Sequence, residues 1–199
     1  MVPGADFSGA LHNKNLLLQD ARTLKVQYPR IQRGCFVIRK GAGLTIDQGE
    51  FRRVLGHFAS GVTVVTTCYE QTNYGITVSS FSSLSLVPPL VLICIDQKVS
   101  SHAALQNAGV FAVNILPEEG ERLSRHFATR EVDKFKGVAF HTGQLGAPLL
   151  DEALGTIECR IVQQVPGGDH TIFIGEVTAA ATRPGKPLIY YRSGYHQID

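Results

Sequence analysis

At 199 residues, with 44% hydrophobic content and a formal net charge of +2, the chain has the size of one globular domain. It carries no charge excess with which to hold a nucleic acid or another polyanion. The longest apolar run, Leu90 to Ile95, is far short of the ~20 residues of a membrane span. No apolar core of a signal peptide follows the N-terminal charges. The four cysteines (Cys35, Cys68, Cys94, Cys159) are far apart, form no CxxC and have no histidine at metal-ligand spacing. A zinc site and a disulfide framework are therefore not expected, and a reducing cytoplasm is.

Charge is unevenly placed along the chain. Residues 1–44 carry a net +5 and the remainder a net −3, and the change falls near Gly41-Ala-Gly43. The expected division is an N-terminal extension at 1–44 and a folded domain at 45–199. Within the extension, "NLLLQDA" (15–21) reads as a short helix and Cys35 to Ile38 as a short strand. The extension is either mobile or an arm lying on a partner subunit.

From Asp47 onward, Phe51, Val54, Leu55 and Phe58 follow i, i+3, i+4, i+7 spacing, predicting a helix that ends at Gly61. "VTVVTTCY" (62–69) is β-branched and reads as a strand, "EQTNYG" as a turn, and "ITVSS" as the returning strand. "LVLICID" (90–96) reads as a short buried strand. "SSHAALQNAG" (100–109) reads as a helix with Ser100 or Ser101 at its N-cap and Gly109 past its end. A strand is expected at 110–116. A helix is expected at 117–128, opened by Pro and acids. Two long strands follow at 155–165 and 170–182, joined by the "GGD" turn, and a last strand is expected at 187–191. Six or seven strands with two or three short helices and no βαβ rhythm predict a mainly β, antiparallel barrel with helical insertions.

The residues exclude several chemistries. "GAGLTI" lacks the third glycine of a dinucleotide fingerprint, and there is no Walker loop, no GxSxG and no evident carboxylate pair. The positive signal is "GITVSSFSSLSL", where Thr77, Ser79, Ser80, Ser82, Ser83 and Ser85 crowd six hydroxyls into nine residues. Hydroxyls and backbone N–H groups on a tight loop bind phosphate without adding charge. A helix start at Ser100 adds an anion site. The same residues also suit a plain solvated loop and a simple cap. His170, beside the Gly-Gly turn, suits a polar ligand or a structural role, and so does His126. Tyr191 and Arg192 suit an anionic aromatic ligand or an exposed terminal strand.

Six segments, in order, resemble those of the flavin reductases that serve as the small component of two-component flavin monooxygenases. They are "VLGHFASGVTVVTT", "GITVSSFSSLSLVPPLVLICID", "FAVNIL", "DKFKG", "GGDHTIFIGEV" and "PLIYYRSGY". The resemblance covers roughly Phe51 to Tyr195. It implies the FMN-binding split barrel, a Greek-key antiparallel fold, and a homodimer. It implies hydride transfer from NADH or NADPH to FMN or FAD, and delivery of reduced flavin to a separate oxygenase. Thr77, Val78, Ser79, Ser80, Ser82 and Ser83 would line the flavin. Asp96, Ser100 and Ser101 would hold its ribityl and phosphate end, with His126 and Phe127 contributing. His170 would be catalytic on the nicotinamide side, with Tyr191 and Arg192 contacting NAD(P)H. No metal, nucleic acid or membrane is implied. Arg53 and Lys98 are phosphate partners by charge alone, without an assigned place. The residues 1–44 exceed what the family core needs. Two alternatives stay open. One is a split-barrel flavoprotein that keeps its flavin and reduces a corrinoid or ferric complex. The other is a non-catalytic flavin- or haem-binding protein.

Overall fold

The structure, a computed structural model, describes residues 46–198. The helix expected at 15–21, the strand expected at 35–38 and the arm at 1–44 lie outside the described residues.

Helix α1 (Gln48–Leu55) starts where Asp47 accepts the N–H groups of Gly49 (2.7 Å) and Glu50 (3.2 Å). It ends at Gly56, five residues earlier than its periodicity suggests, and Gly61 instead belongs to strand β1 (Ser60–Gly61). Strands β2 (Thr63–Tyr69) and β3 (Thr72–Val78) form a hairpin through Glu70 and Gln71, both at positive φ (48° and 60°). The turn is thus two residues, tighter than the six of "EQTNYG". The hydroxyl-rich segment is mostly strand rather than loop. Only Ser79 and Ser80 bend before β4 (Phe81–Leu86), which carries Ser82, Ser83 and Ser85 and pairs with β5 (Pro89–Asp96). Helix α2 (Ser100–Ala108) is preceded by Val99 at the N-cap, so both serines lie inside the first turn and neither caps it. Gly109 closes α2 in the left-handed conformation, φ 68°.

Strand β6 (Val110–Ile115) leads to α3 (Glu121–Phe127), shorter than the 117–128 expected. Pro117 is instead bridged to Pro187, and a turn closes from the Gly120 N–H to the Pro117 carbonyl at 2.8 Å. A small hairpin of β7 (Phe140–Thr142) and β8 (Pro148–Leu150) has no counterpart in the sequence reading. Strands β9 (Gly155–Gly167) and β10 (His170–Thr182) form the longest ladder, turning on Gly168 (φ 69°) and Asp169. The chain ends in β11 (Ile189–Tyr191) and β12 (Gly194–His196).

Among the described residues all strand pairs are antiparallel, and seven strands form one sheet in the order β3-β2-β6-β9-β10-β5-β4. Consecutive strands β5 and β6 are held apart by the β9–β10 hairpin, with α2 making the crossover, a Greek-key connection. The edge strands β3 and β4 are joined directly through Ser79 and Ser80, so the sheet curls around one interior as a split barrel. Alternation makes that interior: Val91, Ile93 and Ile95 of β5 and Thr171, Phe173 and Gly175 of β10 point inward, their neighbours outward. Phe111, Leu105, Val113 and Cys159 complete the cluster. Each fully buried large side chain here contributes roughly 1.5–3 kcal/mol of transfer free energy. A second cluster under α3 gathers Val64, Leu116, Leu123, Phe127, Phe135 and Leu150. No residue of α1 is buried, and Phe51, Val54, Leu55 and Phe58 remain exposed, Phe58 at 80%.

Candidate functional site

Strand β5 runs out at Asp96. Its carboxylate accepts the Lys98 N–H (2.8 Å) and its carbonyl accepts the Val99 N–H (3.4 Å), which swings the chain into α2. Ser100 and Ser101 then sit in the first turn, where helical N–H groups have no intrahelical acceptor. The Ser101 hydroxyl reaches the Gly75 carbonyl of β3 at 3.5 Å.

The opposite wall comes from the segment after α3. Thr129 Oγ1 donates to the His126 carbonyl (2.8 Å) and accepts the Glu131 N–H (3.4 Å). His126 Nε2 lies 2.7 Å from the Lys134 carbonyl oxygen and donates to it, folding the segment back on itself. Lys134 Nζ donates to the Phe127 carbonyl (2.9 Å) at the end of α3 and to the Gly75 carbonyl (3.1 Å). Gly75 is where this meets the barrel. A Cβ there would lie 2.5 Å from Phe127 Cε1, so only glycine lets the strand pass under the ring.

Between these walls lies a cleft of about 570 Å³, lined among others by Ile76, Asp96, Lys98, Ser100, Ser101, Thr129, Arg130, Glu131 and Lys134. That is a size suited to a drug-sized ligand. Three cations face two carboxylates, and the positive end of α2 adds to the cationic side. Burial holds the Lys134 ammonium below the ordinary lysine value, with Glu131 acting in the opposite direction. The donor set, free N–H groups and hydroxyls with cations around them, fits a polar phosphate-bearing ligand such as a flavin nucleotide.

Asp96, Ser100 and Ser101 come together in this cleft. Lys98 joins them, whereas Arg53 lies on α1, paired with Glu50 at 2.7 Å. His170 stands directly opposite Asp96 in the β5–β10 ladder, so the two side chains share a face of the sheet. Asp169 Oδ1 accepts from His170 Nδ1 at 2.8 Å, leaving Nε2 free of that bond. This hydrogen bond holds the Asp169 carboxyl below the ordinary carboxylate range.

Other named residues take structural positions. Thr77 Oγ1 donates to the Ser124 carbonyl (2.6 Å), tying β3 to α3. Val78 belongs to the barrel core. Ser80 Oγ donates to the Cys94 carbonyl (3.0 Å) and Ser82 Oγ to the Ser83 carbonyl (3.0 Å), while Ser79 and Ser83 are exposed; none of these four lines the cleft. His126 fastens the cleft wall without lining it, and Phe127 is wholly buried in the second core. Tyr191 and Arg192 belong to the separate β1-β11-β12 sheet. There Arg192 (φ 47°) begins the turn and donates its N–H to the Gly56 carbonyl (2.9 Å), and Tyr191 lies edge-on to His57 and His196. Within one chain the structure does not bring this turn to the cleft lining.

Sequence reasoning assigned no role to Lys134, Arg130, Thr129 or Ile76. "DKFKG" marked the segment without marking the residue. The signal in it is a lysine directly before a phenylalanine that proves buried, which forces the cation to lie close to the core.

A split barrel with a cationic, hydroxyl-bearing cleft at a helix start defines the class. Residues 55–199 match the family described as flavin reductase like domain, and the chain belongs to that family. Over 150 residues it is 47% identical to the reductase component of 4-nitrophenol 4-monooxygenase/4-nitrocatechol 2-monooxygenase from Rhodococcus opacus, covering 75% of this chain and 80% of that protein. It is 41% identical to an NADH-dependent FAD reductase of Streptomyces globisporus, covering 74% of this chain and 84% of that one. Among solved structures it is similar to the Streptomyces globisporus C-1027 NADH:FAD oxidoreductase in complex with NAD and FAD fragments. There the TM-score is 0.75 and the identity 40%, over 79% of this chain and 98% of that chain.

Proposed function

We propose that the protein is an NADH-dependent flavin reductase that supplies reduced FMN or FAD to a separate monooxygenase component. The observation that carries this is the convergence of Asp96, Ser100, Ser101 and Lys134 on one cleft, with His170 across the ladder from Asp96. The kinship with named reductase components supports it. A bound flavin supplies the ring that accepts hydride from the reduced nicotinamide. The chain's own work is orientation. The first turn of α2 and the cleft cations hold the anionic end, and the walls from β3 and from the segment after α3 limit water. Asp169 holds His170 through Nδ1, which leaves Nε2 to meet the nicotinamide. Hydride transfer between stacked rings requires alignment rather than an acid–base pair.

The working form is a homodimer. Its support is the exposed apolar face of α1, since Phe51, Val54 and Leu55 on the helix and Phe58 just past its end are costly to leave in water. The catalytic unit is residues 45–199, with 1–44 an extension to it. The compartment is the cytoplasm: Cys68, Cys94 and Cys159 are unbridged, and no helix among the described residues is long and apolar enough to cross a membrane.

Purification tests the reading. The expected protein is colourless and oxidises NADH only when FMN or FAD is added. A yellow protein whose NADH oxidation requires a corrinoid or ferric complex, or one that neither nicotinamide bleaches, overturns it. His170→Ala is expected to slow flavin reduction about tenfold, the loss of one hydrogen bond to a polar partner. Flavin affinity stays near wild type. If the variant instead loses flavin and keeps its turnover per bound flavin, His170 belongs to the flavin side.

A further inference from the structure

The two halves of the site stand on different parts of the barrel. The cleft is built from α2, β3 and the segment after α3, whereas His170 begins β10. Helix α2 packs on β2, β3 and β6. What carries it across to β10 is a buried hydrogen bond: His102 Nε2 lies 2.8 Å from Thr171 Oγ1, 69 residues along the chain. Both side chains are buried, and the His102 ring stands edge-on to the core ring of Phe173, centroids 5.5 Å apart at 67°. His102 follows Ser101 in the first turn of α2, and Thr171 follows His170. The bond therefore joins the residue next to the flavin side to the residue next to the nicotinamide side. Successive strand residues point to opposite faces, so holding Thr171 inside the barrel sets where His170 stands outside it. The other polar links from this corner are exposed, and water competes for them. Gln97 Nε2 donates to the His170 carbonyl (3.3 Å), and Gln106 donates to Gln164 of β9 (3.2 Å). A hydrogen bond shielded from water holds its two elements more firmly than either.

We propose that His102 is a positioning residue for hydride transfer, which through Thr171 fixes the spacing between the flavin half of the site, on α2, and the nicotinamide half, on β10. The inference rests on the flavin reductase reading. His102 does not line the cleft, so it acts on the reaction through Thr171 and not on the flavin itself. Two stacked rings react only at close approach, and a displacement of about 1 Å far from the chemistry is enough to slow transfer.

The test is stopped-flow reduction of the full chain with bound FMN by NADH, reading the rate at saturating NADH per bound flavin. FMN affinity and Tm are measured on the same samples. Wild type is compared with His102→Leu, Thr171→Val, the double variant and His102→Gln. Leucine and valine remove the bond at similar volume, and glutamine keeps a polar group that can reach Thr171. Each of the first two is expected to slow reduction about tenfold while FMN affinity changes less than about twofold. The double variant is expected to be no slower than the slower single one, because one bond is lost in all three. His102→Gln is expected to stay within about threefold of wild type. A lowered Tm with an unchanged rate would make the bond a stability element only, and lost FMN affinity with an unchanged rate would assign His102 to flavin binding. Multiplying rate losses in the double variant would mean that the two residues act separately. Any of these three overturns the inference. Should His102→Leu fail to fold, the other two single variants decide: a slow Thr171→Val beside a near-normal His102→Gln supports the inference, and two wild-type rates overturn it. Wild type that binds FMN but is not reduced by NADH sinks the reductase reading beneath it.

Discussion

Replacing Gly75 by alanine puts one methyl group at the junction of barrel and cleft. Its carbon would lie 2.5 Å from Phe127 Cε1, 2.6 Å from Cδ1 and 3.4 Å from Phe135 Cζ. Carbon atoms pack at about 3.5–4.0 Å, so something must retreat by roughly 1 Å. Phe127 has no room to do so. It is fully buried and held edge-on between His126 (5.4 Å) and Phe135 (5.3 Å). The strand must move instead, and it carries the Gly75 carbonyl that receives Lys134 and Ser101. Overpacking of this kind costs about 1–3 kcal/mol, which for a domain of this size lowers Tm by about 3–10 °C. Calorimetry of Gly75→Ala checks the value. Adding Phe127→Leu is expected to recover part of it, because the smaller side chain opens the space the methyl needs, so the two changes are non-additive. A Tm within 1 °C of wild type, or strict additivity in the double variant, would refute the argument that ring and strand are in forced contact.

Other predictions follow from the same contacts. Asn114 bonds the Val64 carbonyl (3.0 Å), Thr66 Oγ1 (3.1 Å) and the Leu150 N–H (2.8 Å) in a fully buried position. Asn114→Leu is therefore expected to cost about 1–3 kcal/mol in denaturant unfolding, since it strands buried polar groups. The Cys159 thiol is pushed up to about 12 by burial, reinforced by Glu158. It is expected to resist iodoacetamide at pH 8 in the native protein and to react after unfolding, as read by peptide mass mapping. Asp169 titrates below its ordinary value of 3.8 because His170 donates to it. Its contribution to stability is thus present above that value and is lost as pH falls through the lowered folded value. Asp169→Asn is expected to lower Tm slightly at pH 7 and to match wild type in strong acid. The effect is small because the carboxylate is exposed.

Much of this molecule was legible as pattern. The short apolar run "LVLICID" and the long β-branched run "HTIFIGEVTAAAT" marked two strands, while their pairing and the alternation of their faces came from the structure. Gly109 marked the end of α2, since only glycine takes the left-handed conformation freely. Helix and strand boundaries were less legible. The i, i+3, i+4 pattern carried α1 past Gly56, because Phe58 continues the apolar stripe after the backbone has left the helix. The hydroxyls of 79–85 read as a loop because serine favours loops. An edge strand tolerates them equally well, since one of its faces is wet.

Local chemistry thus determined on its own that the chain is an antiparallel β protein, that a helix starts at Ser100, and that His170 begins a strand beside a tight turn. Tertiary structure alone decided that Asp96 faces His170, that Phe127 is core, and that Lys134, 59 residues along the chain from Gly75, shares its carbonyl with Ser101. Periodicity is a property of neighbouring residues and survives in the bare sequence. Which distant residues meet is set by how the sheet curls to bury its inner face, and that exists only once the whole barrel has formed.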